Sequence, residues 1–239
     1  MTLIKNNMHI LLTRPMDDCI DMILKFKSLG HRVSHLPLLI IEKATHENIN
    51  FSQYEGIIFT SANSVKFLDL QNVNKKIKCF CVGNITEKKA RSIGFQNTIA
   101  ADGNVSNLKE IILQNYEFKD KRLLYVSGEL VSFDLDKQLS KEGYQIKRII
   151  NYRVIHNQKF DENFVDQLKS SMPDIVYVYS QNSALNYLNF IKNYQLEHMW
   201  IDTNLMCIGE KTSAILNEIK WKKIFLFNPG EEEFLLYKI

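Results

Sequence analysis

Short apolar runs of strand length alternate along this 239-residue chain with segments of helical period. HILLT from His9 reads as a strand, and Asp17 to Leu29 as a helix with Ile20, Ile23, Leu24 and Leu29 roughly on one face. Gly30 ends that helix, and HRVSHL returns as a second strand. Further strands are predicted at GIIFT (Gly56), CFCV (Cys79), NTIAA (Asn97), RLLYV (Arg122), QIKRII (Gln145), IVYVY (Ile175), LMCI (Leu205) and KIFLF (Lys223). Runs that are apolar throughout, alternating with helices, imply a parallel sheet covered on both faces. Ten such strands predict an α/β protein with two five-stranded doubly wound sheets.

The chain also repeats itself. IIFTSANSV from Ile57 matches VYVYSQNSA from Val176: strand, Ser-x-Asn-Ser, helix. CVGNIT at Cys81 matches CIGEKT at Cys207, LLTRP at Leu11 aligns with LLYVSGE at Leu123, and GHRVSHLPLLI at Gly30 aligns with GYQIKRIINYRVI at Gly143. The offset grows from 112 (Leu11 to Leu123) through 119 (Ile57 to Val176) to 126 (Cys81 to Cys207), as a duplication with small insertions would give. Generic α/β punctuation also produces such matches, but not four elements in repeated order.

PLLIIEKA from Pro37 and NYRVIHNQ from Asn151 stand outside the alternation, at equivalent places in the two repeats, and read as extended crossovers. Two crossings would make one domain from residues 1–38 plus 157–239 and another from 45–149, with 39–44 and 150–156 as linkers. Two consecutive domains split near Lys119 fit the pattern equally. Near-balanced charge, 30 Lys+Arg against 27 Asp+Glu, describes no dedicated nucleic-acid binder. No apolar run approaches the ~20 residues that span a bilayer. The N-terminus has no secretion pattern, and scattered Cys19, Cys79, Cys81 and Cys207 fit buried thiols of a cytosolic protein.

In an open parallel sheet, ligands bind beyond the carboxyl ends of the strands, where free N–H groups and the helix dipole favour anions. Ser61, Asn63 and Ser64, and equally Ser180, Asn182 and Ser183, are placed at that edge. Helix capping explains any one of them; recurrence of the turn in both halves points to a shared ligand. Gly83-Asn84-x-Thr86 and Gly209-Glu210-x-Thr212 follow the same logic, as do Ser127-Gly128-Glu129 and its counterpart Thr13-Arg14-Pro15. Arg14 could grip a carboxylate through two parallel hydrogen bonds, or be a surface arginine at a helix start. Tyr152 lies in the second crossover. It could anchor the linker by packing, or face a cleft with its hydroxyl free to donate.

Other chemistry has little support. GxGxxG, GxxxxGK[ST] and GxSxG are absent, and of the six histidines only His31 and His35 have an HxxxH spacing, in or beside a strand rather than on a helix. Lys75-Lys76 and Lys88-Lys89 read as solvated faces, and Asn228-Pro229-Gly230-Glu231 as a capped helix start.

Together LLTRP, the Gly30–Pro37 pattern, FTSANSV, VGNITEKKARSIGF, LLYVSGE, INYRV, YSQNSAL and IGEKTSAIL resemble the uroporphyrinogen-III synthase family, in the family's order and over nearly the whole chain. NPGEEEFL departs from the family's usual Ser/Thr-containing turn. The resemblance implies two similar doubly wound, flavodoxin-like domains joined by a two-stranded linker that the chain crosses twice. It implies cyclisation of linear hydroxymethylbilane with loss of water and inversion of ring D, through a spiro intermediate, without metal or organic cofactor. Tyr152 matches the tyrosine that assists departure of the hydroxyl. A substrate with eight carboxylates would then be held in an interdomain cleft largely by backbone amides and hydroxyls, including those of Arg14, Ser61, Asn63, Ser64, Gly83, Asn84, Ser127, Gly128, Ser180, Asn182, Ser183 and Thr212. A cytoplasmic monomer, receiving the bilane from hydroxymethylbilane synthase, is the implied setting. A non-catalytic binding or regulatory module for an anionic small molecule is the competing reading.

Overall fold

The computed structural model describes residues 7–69, 71, 73–102, 104–117, 121–228 and 231–232. The chain falls into two compact units, Met1–Ile40 with Ile155–Ile239, and Ile41–Val154. In the first unit, β1 (His9–Leu12), α1 (Ile20–Ser28) and β2 (Arg32–His35) come from the N-terminal part. α6 (Glu162–Ser170), β9 (Ile175–Val178), α7 (Gln181–Asn193), β10 (Asn204–Ile208), α8 (Glu210–Ile215) and β11 (Lys223–Phe227) come from the C-terminal part. α1 begins at Ile20 rather than Asp17 because the preceding turn, Met16–Asp18, is a 3-10 turn in which Asp18 N–H and Cys19 N–H donate to the carbonyls of Pro15 and Met16.

The second unit holds β4 (Tyr54–Phe59), α2 (Ala62–Lys66), β5 (Lys78–Val82), α3 (Gly83–Ser92), β6 (Asn97–Ala101), α4 (Val105–Asn115), β7 (Arg122–Gly128) and α5 (Leu135–Lys141). β3 (Leu39–Lys43) and β8 (Gln145–His156) complete its sheet. The two sheets have five and six strands, not five each. The sixth is β3, the first predicted crossover, which pairs with β8; β8 itself runs unbroken from its sheet segment through the second crossover. An extended apolar segment such as LIIEK has unpaired N–H and C=O groups, and pairing with its equivalent satisfies them.

Strand order is β2-β1-β9-β10-β11 in the first sheet and β3-β8-β7-β4-β5-β6 in the second. The strands related by the sequence repeat (β1 with β7, β2 with β8, β9 with β4, β10 with β5) therefore occupy the same places in both. Neighbours β1–β2, β1–β9, β9–β10 and β10–β11 pair in parallel, as do β4–β5, β4–β7, β5–β6 and β7–β8.

Each sheet buries both faces. Leu11, Val176, Val178 and Leu205 join the aromatic cluster of Tyr187, Phe190, Trp200 and Trp221, while Ile10, Leu12, Ile175 and Tyr177 pack on the other side with Phe26. In the second unit Ile57, Phe59 and Leu124 face one cluster and Ile58, Phe80 and Tyr125 the other. This double burial is why these strands read as unbroken apolar runs. Cys19, Cys79, Cys81 and Cys207 are all buried free thiols. Among the described residues, no helix is long and apolar enough to cross a membrane.

Candidate functional site

In each sheet the connections leave in opposite directions from two adjacent strands, and this is where an open α/β sheet binds ligands. The reversal falls between β1 and β9 in the first unit and between β4 and β7 in the second. The carboxyl ends of those four strands carry Thr13-Arg14, Ser180–Ser183, Ser61–Ser64 and Ser127–Glu129. Most of the predicted binding residues thus lie at the two switch points.

In the second unit, a recess of about 170 Å³ is lined by Thr60, Ser61, Tyr125, Gly128, Leu130, Phe133 and Tyr152, among others. Ser61 caps α2, its Oγ accepting from Asn63 N–H at 3.2 Å. Ser64 is fully buried and its hydroxyl donates to Ser61 O at 2.6 Å, so it supports the turn from within. Ser127 is also fully buried; its hydroxyl donates to Gly128 O at 3.0 Å and accepts from Arg148 Nε at 2.8 Å.

Tyr152 owes its position to a register shift. Ser127 pairs with Ile150, but Gly128 pairs with Tyr152, so Asn151 is an extra residue in β8. Such a bulge moves the next side chain to the opposite face of the sheet. The Asn151 side chain is buried and donates through Nδ2 to Ser64 O at 2.7 Å, tying the bulge to α2. Tyr152 then stacks on Phe67, ring centres 6.5 Å apart, with its hydroxyl end over Gly128. A Cβ at residue 128 would lie 2.6 Å from Tyr152 Cζ and 2.9 Å from its hydroxyl oxygen, so only glycine leaves room.

Sequence reasoning missed three residues here. Tyr125 and Thr60 share a hydrogen bond of 3.1 Å within the recess lining, and burial pushes the Tyr125 phenol above its usual pKa, partly offset by Thr60 and Arg148. Arg148 lies with its guanidinium 6.0 Å from the Tyr125 ring centre. Tyr125 reads as one more apolar strand residue in RLLYV and Arg148 as an exposed strand residue in QIKRII; only the register between β7 and β8 joins them.

Gly83 opens α3 with φ +74°, and its repeat partner Gly209 caps α8 with φ +70°. These left-handed values suit glycine, and a Cβ at either would meet nothing within 4 Å, so backbone at both strand ends is open to a ligand. Asn84 is exposed, whereas Thr86 and Thr212 are buried.

In the first unit, Thr13 is buried and donates to Tyr177 O at 2.6 Å, fixing the end of β1 against β9. Arg14 lies over the Tyr179 ring at 4.8 Å and 3.6 Å from Asp18, with 36% of its side chain exposed, and so remains accessible to an anion. The Arg14 carbonyl accepts from His35 Nε2 at 2.7 Å. Ser180 caps α7, accepting from Ser183 N–H at 3.1 Å; Asn182 is exposed and Ser183 is buried against the cap. Pro229 and Gly230 lie outside the described residues; of the predicted turn, the Glu231 carboxylate accepts from Asn228 N and Nδ2, both at 3.0 Å. Among the described residues, no group of three or more His, Cys, Asp or Glu side chains could hold a metal ion.

Fold and sites together define a two-unit α/β protein built from a duplicated parallel sheet, with hydroxyls, open backbone and few charges at its strand-end switch points. The family model for uroporphyrinogen-III synthase HemD matches residues 21–226. The chain belongs to the uroporphyrinogen-III synthase family, whose members are enzymes acting on hydroxymethylbilane in haem biosynthesis. The fold is also that of the uroporphyrinogen-III synthetase from Helicobacter pylori, at 18% identity and TM-score 0.63, covering 97% of this chain and 100% of the other. A mutant uroporphyrinogen III synthase from the extremely thermophilic bacterium Thermus thermophilus aligns at 12% identity and TM-score 0.51, covering 97% of both chains. No curated protein sequence matches the chain.

Proposed function

We propose that this chain closes hydroxymethylbilane to uroporphyrinogen III, with Tyr152 assisting the departure of the hydroxyl. The observation that carries this is the phenol of Tyr152 held over Gly128 in a recess at the switch point of the second sheet. A tyrosine hydroxyl is protonated at neutral pH and donates a hydrogen bond or proton to a leaving hydroxyl, which departs as water. The electron-deficient terminal carbon left behind is attacked by the last pyrrole ring. The bilane closes unaided to the uninverted isomer, so the protein's contribution is to hold the bent conformer that inverts ring D.

Eight carboxylates need many donors, and the two switch points offer them as amides and hydroxyls with Arg14 as a cation. Ser61, Asn63, Gly83, Asn84 and Gly128 in one unit, and Arg14, Ser180, Asn182 and Gly209 in the other, stand at strand ends or helix starts. Ser64, Ser127, Ser183 and Thr212, being buried, serve by fixing those turns. Leu130, 82% exposed at the mouth of the recess, supplies an apolar surface for a pyrrole ring. The domain boundaries, and action as a cytoplasmic monomer supplied by hydroxymethylbilane synthase, belong to the same reading and rest on the family resemblance.

The test supplies hydroxymethylbilane, oxidises the product and measures type III against type I isomer. Excess type III is expected; type I alone would sink the catalytic reading, and binding without turnover would support a module. Tyr152→Phe is expected to lower the rate about tenfold without abolishing it, less than the ~10²–10⁴-fold of a full general acid because the bilane also loses its hydroxyl unaided. An unchanged rate removes the role given to Tyr152.

A further inference from the structure

Arg148 directs its guanidinium at neutral acceptors. Nε donates to Ser127 Oγ at 2.8 Å, and Nη2 donates to Gly128 O at 2.8 Å and to Glu129 O at 2.9 Å. Among the described residues it forms no ion pair with a carboxylate. Three successive residues at the end of β7 are thus held by one planar, rigid group, a geometry that a lysine ammonium does not reproduce.

That turn is also the seat of Tyr152. Glu129 N–H donates to Tyr152 O at 3.0 Å, so the backbone of the tyrosine hangs from the residue whose carbonyl Arg148 holds. The Tyr152 ring rests on Gly128, at distances that would leave a Cβ 2.6 Å from Cζ. A shift of the Gly128 backbone must therefore move the phenol or clash with it. Among the described residues the turn carries no other side-chain clamp than Ser127, whose hydroxyl is itself oriented by Arg148.

We propose that Arg148 is a positioning residue, which fixes the 127–129 turn and through it the place of the Tyr152 hydroxyl in the recess. The proposal rests on the reading of Tyr152 as the group that assists hydroxyl departure. A phenol displaced by about 1 Å loses most of its effect on a leaving group, because such assistance depends steeply on geometry. Arg148 is not among the residues that line the recess, so its loss acts on turnover far more than on substrate affinity.

The experiment is a double-mutant cycle of Arg148→Gln and Tyr152→Phe, read as rate and KM for type III formation from hydroxymethylbilane. It is paired with NMR of protein carrying 13C-labelled tyrosine, in which the Tyr152 resonance is assigned by its loss in Tyr152→Phe. Arg148→Gln is expected to lower kcat about as much as Tyr152→Phe does, with KM within about twofold, and to add no further loss in the Tyr152→Phe background. It is expected to shift the Tyr152 resonance, and Arg148→Lys to restore part of both signals. Equal loss in the two backgrounds, or an unmoved Tyr152 resonance, overturns the proposal. If Tyr152→Phe proves fully active, the role of Tyr152 fails and the resonance alone decides whether Arg148 seats the ring. Should Arg148→Gln not fold, Arg148→Lys carries both measurements.

Discussion

Gly128 and Tyr152 compete for one volume at the end of β7, and the enzyme keeps the larger of the two possible side chains. Gly128 is not among the positive-φ glycines, so alanine fits its backbone and the whole effect of a methyl group is steric. The carbon would meet the aromatic ring itself at 2.6 and 2.8 Å, not the end of a flexible chain. Gly128→Ala is therefore expected to push the phenol off the strand end and lower the type III rate by about tenfold or more, with a stability loss of about 1–3 kcal/mol typical of overpacking. A variant that melts like the parent and keeps its rate would show that Tyr152 has another place to go. The contrast with Ser64 is instructive: both residues sit in predicted binding turns, but the buried Ser64 hydroxyl serves the turn whereas the bare Gly128 backbone serves the ring laid on it.

At the scale of elements, β8 does the most with the least sequence signal. Its first half is a sheet strand, its second half pairs with β3, and the extra residue Asn151 between them turns Tyr152 to the required face. Removing the Nδ2 donor of Asn151 leaves the bulge untied from Ser64 O. Asn151→Ala is expected to cost about 1–3 kcal/mol in urea unfolding, as for a buried polar group losing its partner. It should also lower the type III rate about as far as Tyr152→Phe does. A stability loss with the rate intact would mean that the bulge holds without its side-chain tie.

The same strand shows what can be read from sequence. Double burial makes each sheet strand an apolar run, so HILLT, GIIFT, CFCV and IVYVY announce themselves, and the repeat places their ends at equivalent switch points. Ser61, Gly128 and Tyr152, found together at one recess, were all legible as strand-end or crossover residues. Register is not written in apolar pattern, because a slip of one residue leaves composition unchanged. The bulge at Asn151 and the contact of Arg148 with the 127–129 turn depend on register, and neither could be read; the pairing of β3 with β8 is expected only through the two-stranded linker that the family resemblance implies. Nor does a Ser-x-Asn-Ser turn reveal which hydroxyls point inward: Ser61 borders the recess, while Ser64 is buried.

Over the whole molecule, duplication has given two similar sheets with unequal buried chemistry. Two histidines with depressed pKa, His9 and His31, both lie in the first unit and are buried. Burial lowers both; for His9 the nearby Arg32 adds to the effect and Asp174 opposes it. His31 Nδ1 accepts from Met8 N–H at 3.3 Å, and His9 Nε2 shares a hydrogen bond of 2.7 Å with Ser34. A histidine whose folded pKa lies below its unfolded value of about 6.5 takes up a proton on unfolding in that window. Unfolding is then favoured as pH falls below about 6.5, by at most ~1.4 kcal/mol per pH unit for each such histidine, and the dependence vanishes above neutrality. The depressed carboxylates are in the second unit: Glu47 beside Lys147, Glu87 beside Thr98 and Arg91, and Asp134 beside Lys137. Their contribution is present above the usual carboxylate pKa and is lost only as pH falls below about 4.5. The first unit should therefore weaken between pH 6.5 and 5 while the second does not. Both tryptophans, Trp200 and Trp221, are in the core of the first unit, so tryptophan fluorescence follows that unit alone while far-UV circular dichroism follows both. Urea unfolding at pH 5.5 is expected to show the fluorescence midpoint falling below the dichroism midpoint, with the two closer together at pH 7.5. His31→Asn should reduce that separation. Midpoints that move together at both pH values would mean that the two units unfold as one, or that neither histidine is held neutral by its burial.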